Sequence, residues 1–227
     1  MLFLAVFCGF LAEYQLEHKI EKNRERQYIV SLIEDWRADS SWLHEAINDQ
    51  LPKNIAQADS LIHFLQEKNP GVYASEIYYL ATILKRRFFH SFQDRTIVQL
   101  RNAGGLRLIT NKKVKDIINE YYERVNVLNQ FDGYIEENFG RLNDLFPKVF
   151  YVGEFQKLFD LVNNKLGLNR PKEKFRLKSA DPDILNEFAF CFFNYRGLEN
   201  QYLKRAETLY NRINSRISLV KAEYHLK

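Results

Sequence analysis

The sequence is poor in the residues that mark several protein classes. Among 227 residues there are 2 Cys, 9 Gly and 5 Pro. Two cysteines exclude a small scaffold held by several disulfides, and the scarcity of Gly and Pro excludes collagen-like and low-complexity chains. With 46% hydrophobic residues, the chain is also too apolar to remain disordered. It is long enough to bury a core, as one domain or as one domain with an appendage.

Neither sign of charge dominates the sequence. The 33 Lys and Arg residues oppose 29 Asp and Glu residues, which leaves a net charge of +4. A nucleic-acid-binding domain carries a larger basic excess that is concentrated on one face. The basic residues occur instead in short runs at 85–87, 112–115 and 170–178, which are typical of a solvated surface. We therefore expect no nucleic-acid partner.

Residues that commonly carry metal or catalytic chemistry form no recognised pattern. Di-iron bundles need Glu-x-x-His pairs, and none of the five histidines has Glu at that spacing. Asp59 and His63 share a helical face but have no second pair beside them, and Cys8 and Cys191 lie far apart in sequence. The G-x-S-x-G and H-E-x-x-H motifs are absent. The sequence therefore predicts no enzyme activity, no cofactor and no metal.

The amino-terminal run MLFLAVFCGFLA, residues 1 to 12, contains no charge. A helix that crosses about 30 Å of hydrocarbon needs roughly 20 apolar residues. We interpret residues 1–14 as a partial transmembrane segment that starts upstream of Met1; the alternative is a buried first turn of a helical bundle. The first interpretation places the protein at a membrane, in unknown orientation, through a single helix. Its anchoring residues are Leu2, Phe3, Leu4, Val6, Phe7, Phe10 and Leu11.

Apolar residues recur every three or four positions along most of the chain, which predicts an all-α fold. The expected bundle, residues 15–227, has helices at 15–68, 75–102, 111–145 and 181–226. Residues 146–180 are expected to be irregular, with a short helix at about 153–166. Pro52 should kink the first helix without ending it. Because the longest helices lie at opposite ends of the chain, we expect them to pair antiparallel, as the coiled-coil-like stem of an elongated bundle.

Two stretches carry a resemblance to a known family. They are FLAVFCGFLAEYQLEHKIEKNRERQYIVSLIEDW at residues 3–36 and TIVQLRNAGGLRLITNKKVKDIINEYY at residues 96–122. The chain resembles an uncharacterised family of bacterial membrane-associated proteins, in which an apolar N-terminal helix runs into a helical domain of unknown function. Members usually have a short, often basic lead before the apolar run, which is absent here. The resemblance implies membrane placement and supplies no activity, cofactor or catalytic residue.

Aromatic residues make up 15% of the sequence, more ring surface than the inner stripe of one thin bundle can bury. They form either a thick core where the middle helices meet, or an exposed patch or apolar pocket for a partner or ligand. The candidates for such a surface are Tyr78, Tyr79, Phe88, Phe89, Tyr121, Tyr122, Phe146, Phe150, Tyr151, Phe190 and Phe193.

Two functions are consistent with these patterns. The first is a membrane-anchored, non-enzymatic interaction or scaffold protein that binds a protein partner or its own copies. The alternative is an extracytoplasmic sensor-like domain that binds a small apolar ligand between its middle helices. A scaffold requires an exposed apolar surface, whereas a sensor requires an enclosed cavity.

Overall fold

The computed structural model describes residues 2–86, 91–102, 104–162 and 165–226. Most of this chain is helical, which confirms the predicted all-α fold class and the helical bundle. The helices are α1 Leu2–Glu45, α2 Leu51–Gln66, α3 Ala74–Lys85, α4 Arg95–Asn102, α5 Lys112–Val149, α6 Val152–Gln156 and α7 Pro182–Glu223.

Helices α1 and α2 are joined by a single π-helical turn at Ala46–Gln50. Pro52 follows at the start of α2, where it lacks an N–H group and its ring crowds the preceding turn. A π turn is wider than an α turn and accommodates such a disruption within a helix. The proline therefore changes the hydrogen-bonding pattern locally, and the chain stays helical up to Gln66.

The helix expected over 75–102 is divided in the structure, because α3 ends at Lys85 and α4 begins at Arg95. Carboxylates of α1 explain the new start. Gln93 donates its backbone N–H to Asp39 and Thr96 donates its own to Asp35, at 2.9 and 3.2 Å. These groups come from a distant part of the chain, so local periodicity gives no sign of them. After α4, Gly104 has a φ of +62°, the left-handed conformation that favours glycine at a helix end.

The prediction of a short helix at about 153–166 was wrong for most of that range. Helix α6 covers only Val152–Gln156, and an antiparallel hairpin follows, made of β1 Phe159–Val162 and β2 Lys165–Leu168. The segment FDLV alternates an apolar residue with a polar one over its first three positions, which is the strand period of two. Four residues are too few for that alternation to stand out in the sequence.

The described chain forms two compact units. Unit 1 comprises Met1–His44, Ser91–Asn126 and Thr208–Lys227, and unit 2 comprises Glu45–His90 and Val127–Glu207. In unit 1, Arg26 donates to the Tyr224 carbonyl at 2.9 Å and Ser40 donates to Asn214 at 3.1 Å. Residue numbers rise along α1 as they fall along α7, so the predicted antiparallel pairing of the two terminal helices is confirmed. In unit 2, α7 contacts α2 through Arg196 and Asp59.

The prediction that residues 1–14 are a membrane-spanning anchor was wrong. Within the described residues, no helix combines the length and the hydropathy that a bilayer crossing requires. The apolar run stops at Ala12, and α1 continues directly into Glu13, Glu17 and Lys19. A stretch of α1 from this end that is long enough to cross a bilayer therefore includes charged residues. The side chains of Leu2 and Leu4 lie outside those described. The other predicted anchoring residues are exposed: Phe3, Val6, Phe7, Phe10 and Leu11.

Candidate functional site

The structure divides the aromatic candidates between core and surface. Phe88 and Phe89 lie outside the described residues, and Tyr79 is half-buried. Five of the others belong to the cores of the two units: Tyr78, Tyr121, Tyr122, Phe146 and Phe150. Three are on the surface, with exposed fractions of 44% for Tyr151, 59% for Phe190 and 48% for Phe193. Among the described aromatic candidates, these three are therefore the ones available to a docking partner.

Tyr78 is the centre of the aromatic core of unit 2. Its ring centroid lies 4.4 Å from that of Phe150 and 5.3 Å from that of Phe175. Its hydroxyl accepts the backbone N–H of Tyr151 at 2.7 Å and donates to the Arg176 carbonyl at 3.0 Å. Burial raises the pKa of Tyr78 to about 12. The ring and its hydroxyl together tie α3 to the segments on either side of the hairpin, so Tyr78 is a structural residue.

Unit 1 contains a set of buried carboxylates that the sequence analysis missed. Asp39 accepts the Tyr121 hydroxyl at 2.6 Å in addition to the N–H of Gln93. Glu25 accepts the N–H of Thr110 at 2.7 Å and the Tyr224 hydroxyl at 2.6 Å. Because these carboxylate oxygens accept hydrogen bonds from donors elsewhere in the chain, they hold the segments that carry those donors against α1. The sequence contains one sign of these buried carboxylates, because the acidic residues occur inside the apolar stripe of α1.

Helix α7 has an aromatic face that points away from its own core. Phe190 and Phe193 stack with ring centroids 6.0 Å apart and an interplanar angle of 20°. The Arg196 guanidinium lies 4.9 Å from the Phe193 centroid. One turn further on, a Cβ added to Gly197 would meet no atom within 4 Å. We call Phe190, Phe193 and Gly197 the outer face of α7; it consists of two exposed rings followed by an open gap.

A groove of ≈ 430 Å³ between α5 and α7 adjoins this outer face and is open to solvent. The two helices are held together there by Asn138, whose amide donates to the Cys191 carbonyl at 3.0 Å. The lining residues are Tyr134, Glu137, Asn138, Arg141, Phe193, Asn194, Gly197, Leu198 and Gln201.

Two opposite charges lie in this groove one helical turn apart. Glu137 and Arg141 are both exposed on α5, and within the described chain neither has an ion-pair partner. Phe190 and Phe193 are among the residues predicted from the sequence, whereas Gly197, Glu137 and Arg141 are not. The i, i+3, i+7 spacing of Phe190, Phe193 and Gly197 marks one helix face and could have identified the outer face.

The described part of the chain contains no group of three or more His, Cys, Asp or Glu side chains that could hold a metal ion. Cys8 and Cys191 are free thiols, one exposed and one buried. Burial raises the pKa of the Cys191 thiol, which keeps it in the unreactive protonated form.

Comparisons with family models, with curated proteins and with solved structures find no match to this chain. The family resemblance noted from the sequence therefore stays a prediction.

Proposed function

We propose that this protein is a non-enzymatic helical interaction protein that associates with a second copy of itself through the outer face of α7. The observation that carries the proposal is the exposed, stacked pair Phe190 and Phe193 beside the open gap at Gly197. Large aromatic side chains grouped in water are unfavourable, and their burial against a partner is a common source of binding energy.

The arrangement of ring and gap is self-complementary. Phe190 precedes Phe193 by three residues, and Gly197 follows Asn194 by three. A two-fold axis beside the Phe193–Asn194 peptide, with the α7 helices antiparallel, places Phe190 of each copy opposite Gly197 of the other. Two-fold dimers use the same patch twice in this way. The groove of ≈ 430 Å³ next to Gly197 provides the space for the incoming ring.

The groove also offers charges of both signs for a contact between two copies. Because Asn138 is bonded to Cys191, the stretch from Glu137 to Arg141 lies beside the centre of the outer face. We propose that Glu137 of one copy pairs with Arg141 of the other, a contact that two-fold symmetry would form twice. Opposite charges that face each other fix the register of an interface and disfavour wrong partners.

The test is analytical ultracentrifugation of the purified chain over a range of concentrations. Gly197→Leu fills the gap and is expected to raise the dimer Kd by about tenfold or more, which corresponds to about 1.4 kcal/mol. The variant should remain as stable as the parent chain, because glycine within a helix is destabilising by up to about 1 kcal/mol and its replacement removes that loss. Gly133→Leu is the matched control, since an added Cβ at this exposed α5 glycine also meets nothing within 4 Å and Gly133 does not line the groove.

A charge exchange provides a second, independent test. Glu137→Arg alone and Arg141→Glu alone place like charges across the axis and should weaken the dimer. The double variant restores opposite charges with their positions exchanged, so it should recover most of the lost affinity. A chain that stays monomeric at every concentration overturns the proposal. So does a dimer that is equally insensitive to Gly197→Leu and Gly133→Leu.

A further inference from the structure

Unit 2 contains a second candidate surface, which shares no lining residue with the groove at Gly197. Two adjoining clefts of ≈ 490 and ≈ 420 Å³ both include Phe146 and Phe155. We call them together the aromatic cleft. The larger is lined by Phe146, Pro147, Phe150, Tyr151, Val152, Phe155 and Lys178, and the smaller by Thr82, Lys85, Arg86, Phe146 and Phe155. Each volume lies within the range of small-molecule sites.

The interior of the aromatic cleft is apolar and firmly supported. Phe146 and Phe150 are only 9% and 3% exposed, and their ring centroids are 5.1 Å apart. Phe155 stacks on Phe146 at a centroid distance of 5.9 Å. Val152 lies at the rim and is 79% exposed. A hydrocarbon chain placed here would lie against the half-buried Phe155 and the exposed Val152, over a base of rings that are already buried.

The charged side chains that line the aromatic cleft are all positive. Among its ten lining residues, Lys85, Arg86 and Lys178 are cationic and none is acidic. The Lys178 ammonium already donates to the Pro147 carbonyl at 2.7 Å. The Lys85 ammonium lies 4.4 Å from the Phe146 ring centroid, and no described carboxylate pairs with it. Partial burial lowers the pKa of Lys85, as expected for a cation on apolar surface without a counter-charge.

We propose that the aromatic cleft binds a long-chain carboxylate, with the carboxylate group at Lys85 and Arg86 and the hydrocarbon chain over Phe146 and Phe155 towards Val152. A neutral apolar molecule would cover the same rings but would make no use of the charges of Lys85 and Arg86, which are both exposed. An anionic head group supplies the missing counter-charge through a charge-assisted hydrogen bond. This site is independent of the proposed self-association.

The test is isothermal titration calorimetry of the whole chain with dodecanoate below its micellar concentration. One molecule should bind per chain. Lys85→Gln removes the head-group contact and should raise the Kd by about tenfold, the usual scale for loss of a charge-assisted hydrogen bond. Lys148→Gln, an exposed lysine at the end of α5 that does not line the cleft, is the matched control and should leave the Kd unchanged. Dodecan-1-ol, which has the same chain without the charge, should bind more weakly than dodecanoate.

A second variant tests the apolar end of the site. Val152→Asp places a carboxylate at the rim and should raise the Kd for dodecanoate. Because Val152 is highly exposed, the substitution removes little packing and should leave the fold intact. Circular dichroism checks the helical content of each variant. The proposal is overturned if dodecanoate does not bind, if several molecules bind per chain, or if Lys85→Gln and Lys148→Gln bind it equally well.

Discussion

The two compact units stabilise their interiors by different chemistry. Unit 1 buries the carboxylates of Glu25, Asp35 and Asp39 and uses them to accept hydrogen bonds from segments far away in sequence. Unit 2 also buries the carboxylates of Glu154 and Glu199, but most of its interior consists of packed rings, among them Tyr78 and Phe188. A polar network fails when one partner is left unpaired, whereas a packed core fails when volume is lost. The two interiors should therefore respond differently to mutation and to pH.

The largest effect is expected from Phe188→Ala in unit 2. Phe188 is fully buried, and its ring centroid lies 5.5 Å from Phe146, 5.4 Å from Phe150 and 5.1 Å from Phe192. Loss of the ring removes buried apolar area and leaves a cavity, which should lower the free energy of unfolding by about 3–5 kcal/mol. Urea denaturation measures this change.

Phe190→Ala is the matched control for that experiment, because Phe190 lies two residues further along the same helix and is 59% exposed. We expect a change of less than about 1 kcal/mol in the stability of the monomer. Equal losses in the two variants would show that the aromatic interior of unit 2 is not a packed core.

The second effect is expected from Asp39→Ala in unit 1. The substitution removes the acceptor of the buried Tyr121 hydroxyl and of the partly buried Gln93 N–H, so two donors lose this partner. The expected loss in the free energy of unfolding is about 2–4 kcal/mol. Asp116→Ala, an exposed acid of unit 1, should change stability by less than about 0.5 kcal/mol.

Tyr121→Phe removes the hydroxyl and keeps the ring, so it tests the hydrogen bond to Asp39 separately from the packing of the ring. Once Asp39 is replaced by Ala, removing the Tyr121 hydroxyl should no longer be costly, so the double variant should be more stable than the sum of the single losses implies. Additive losses would mean that the hydroxyl and the carboxylate act independently.

The sequence predicts features that depend on local pattern and misses those that depend on distant contacts. The start of α7 follows from local chemistry, since Asp181 accepts the N–H of Asp183 at 2.9 Å, as a capping residue should. The interruption before α4 depends on Asp35 and Asp39, which are more than fifty residues away along the chain. Only the packed structure brings these groups together.

The candidate site shows the same division. Aromatic composition was enough to select Phe190 and Phe193, but it also selected Tyr78 and Phe150, which are buried. Periodicity along α7 separates the outer rings from the inner ones. The contribution of Glu137 required the pairing of α5 with α7, which no pattern within either helix specifies.

The third effect concerns alkaline pH. The folded pKa of Tyr78, about 12, lies above the ordinary value of 10.0 because burial disfavours the phenolate. The folded state therefore holds its proton when the unfolded chain has lost it, so the stabilisation is complete below pH 10 and is lost as pH rises from 10 to 12. Between pH 10 and 12, the free energy of unfolding of the Tyr78→Phe variant should fall by about 2 kcal/mol less than that of the parent chain. Urea denaturation at each pH measures this difference. Parallel pH profiles would contradict this.

The smallest effect should be the same in both units, because their surface ion pairs resemble each other. In unit 1, burial opposes ionisation of Glu120, but the hydrogen bond from Arg124 and the charges of Arg216 and Arg212 hold the pKa of this carboxyl below 4.5. Its contribution is therefore present above about pH 4.5 and is lost as pH falls through the lower folded pKa. Glu120→Gln should lower stability by about 1 kcal/mol or less at pH 7, and added salt should reduce the difference.

Asp59→Asn, which breaks the Arg196 pair of unit 2, should lower stability by a similar amount. If the two losses differ by more than about 1 kcal/mol, the contrast between the units extends to their surfaces; if they agree, it belongs to the interiors alone.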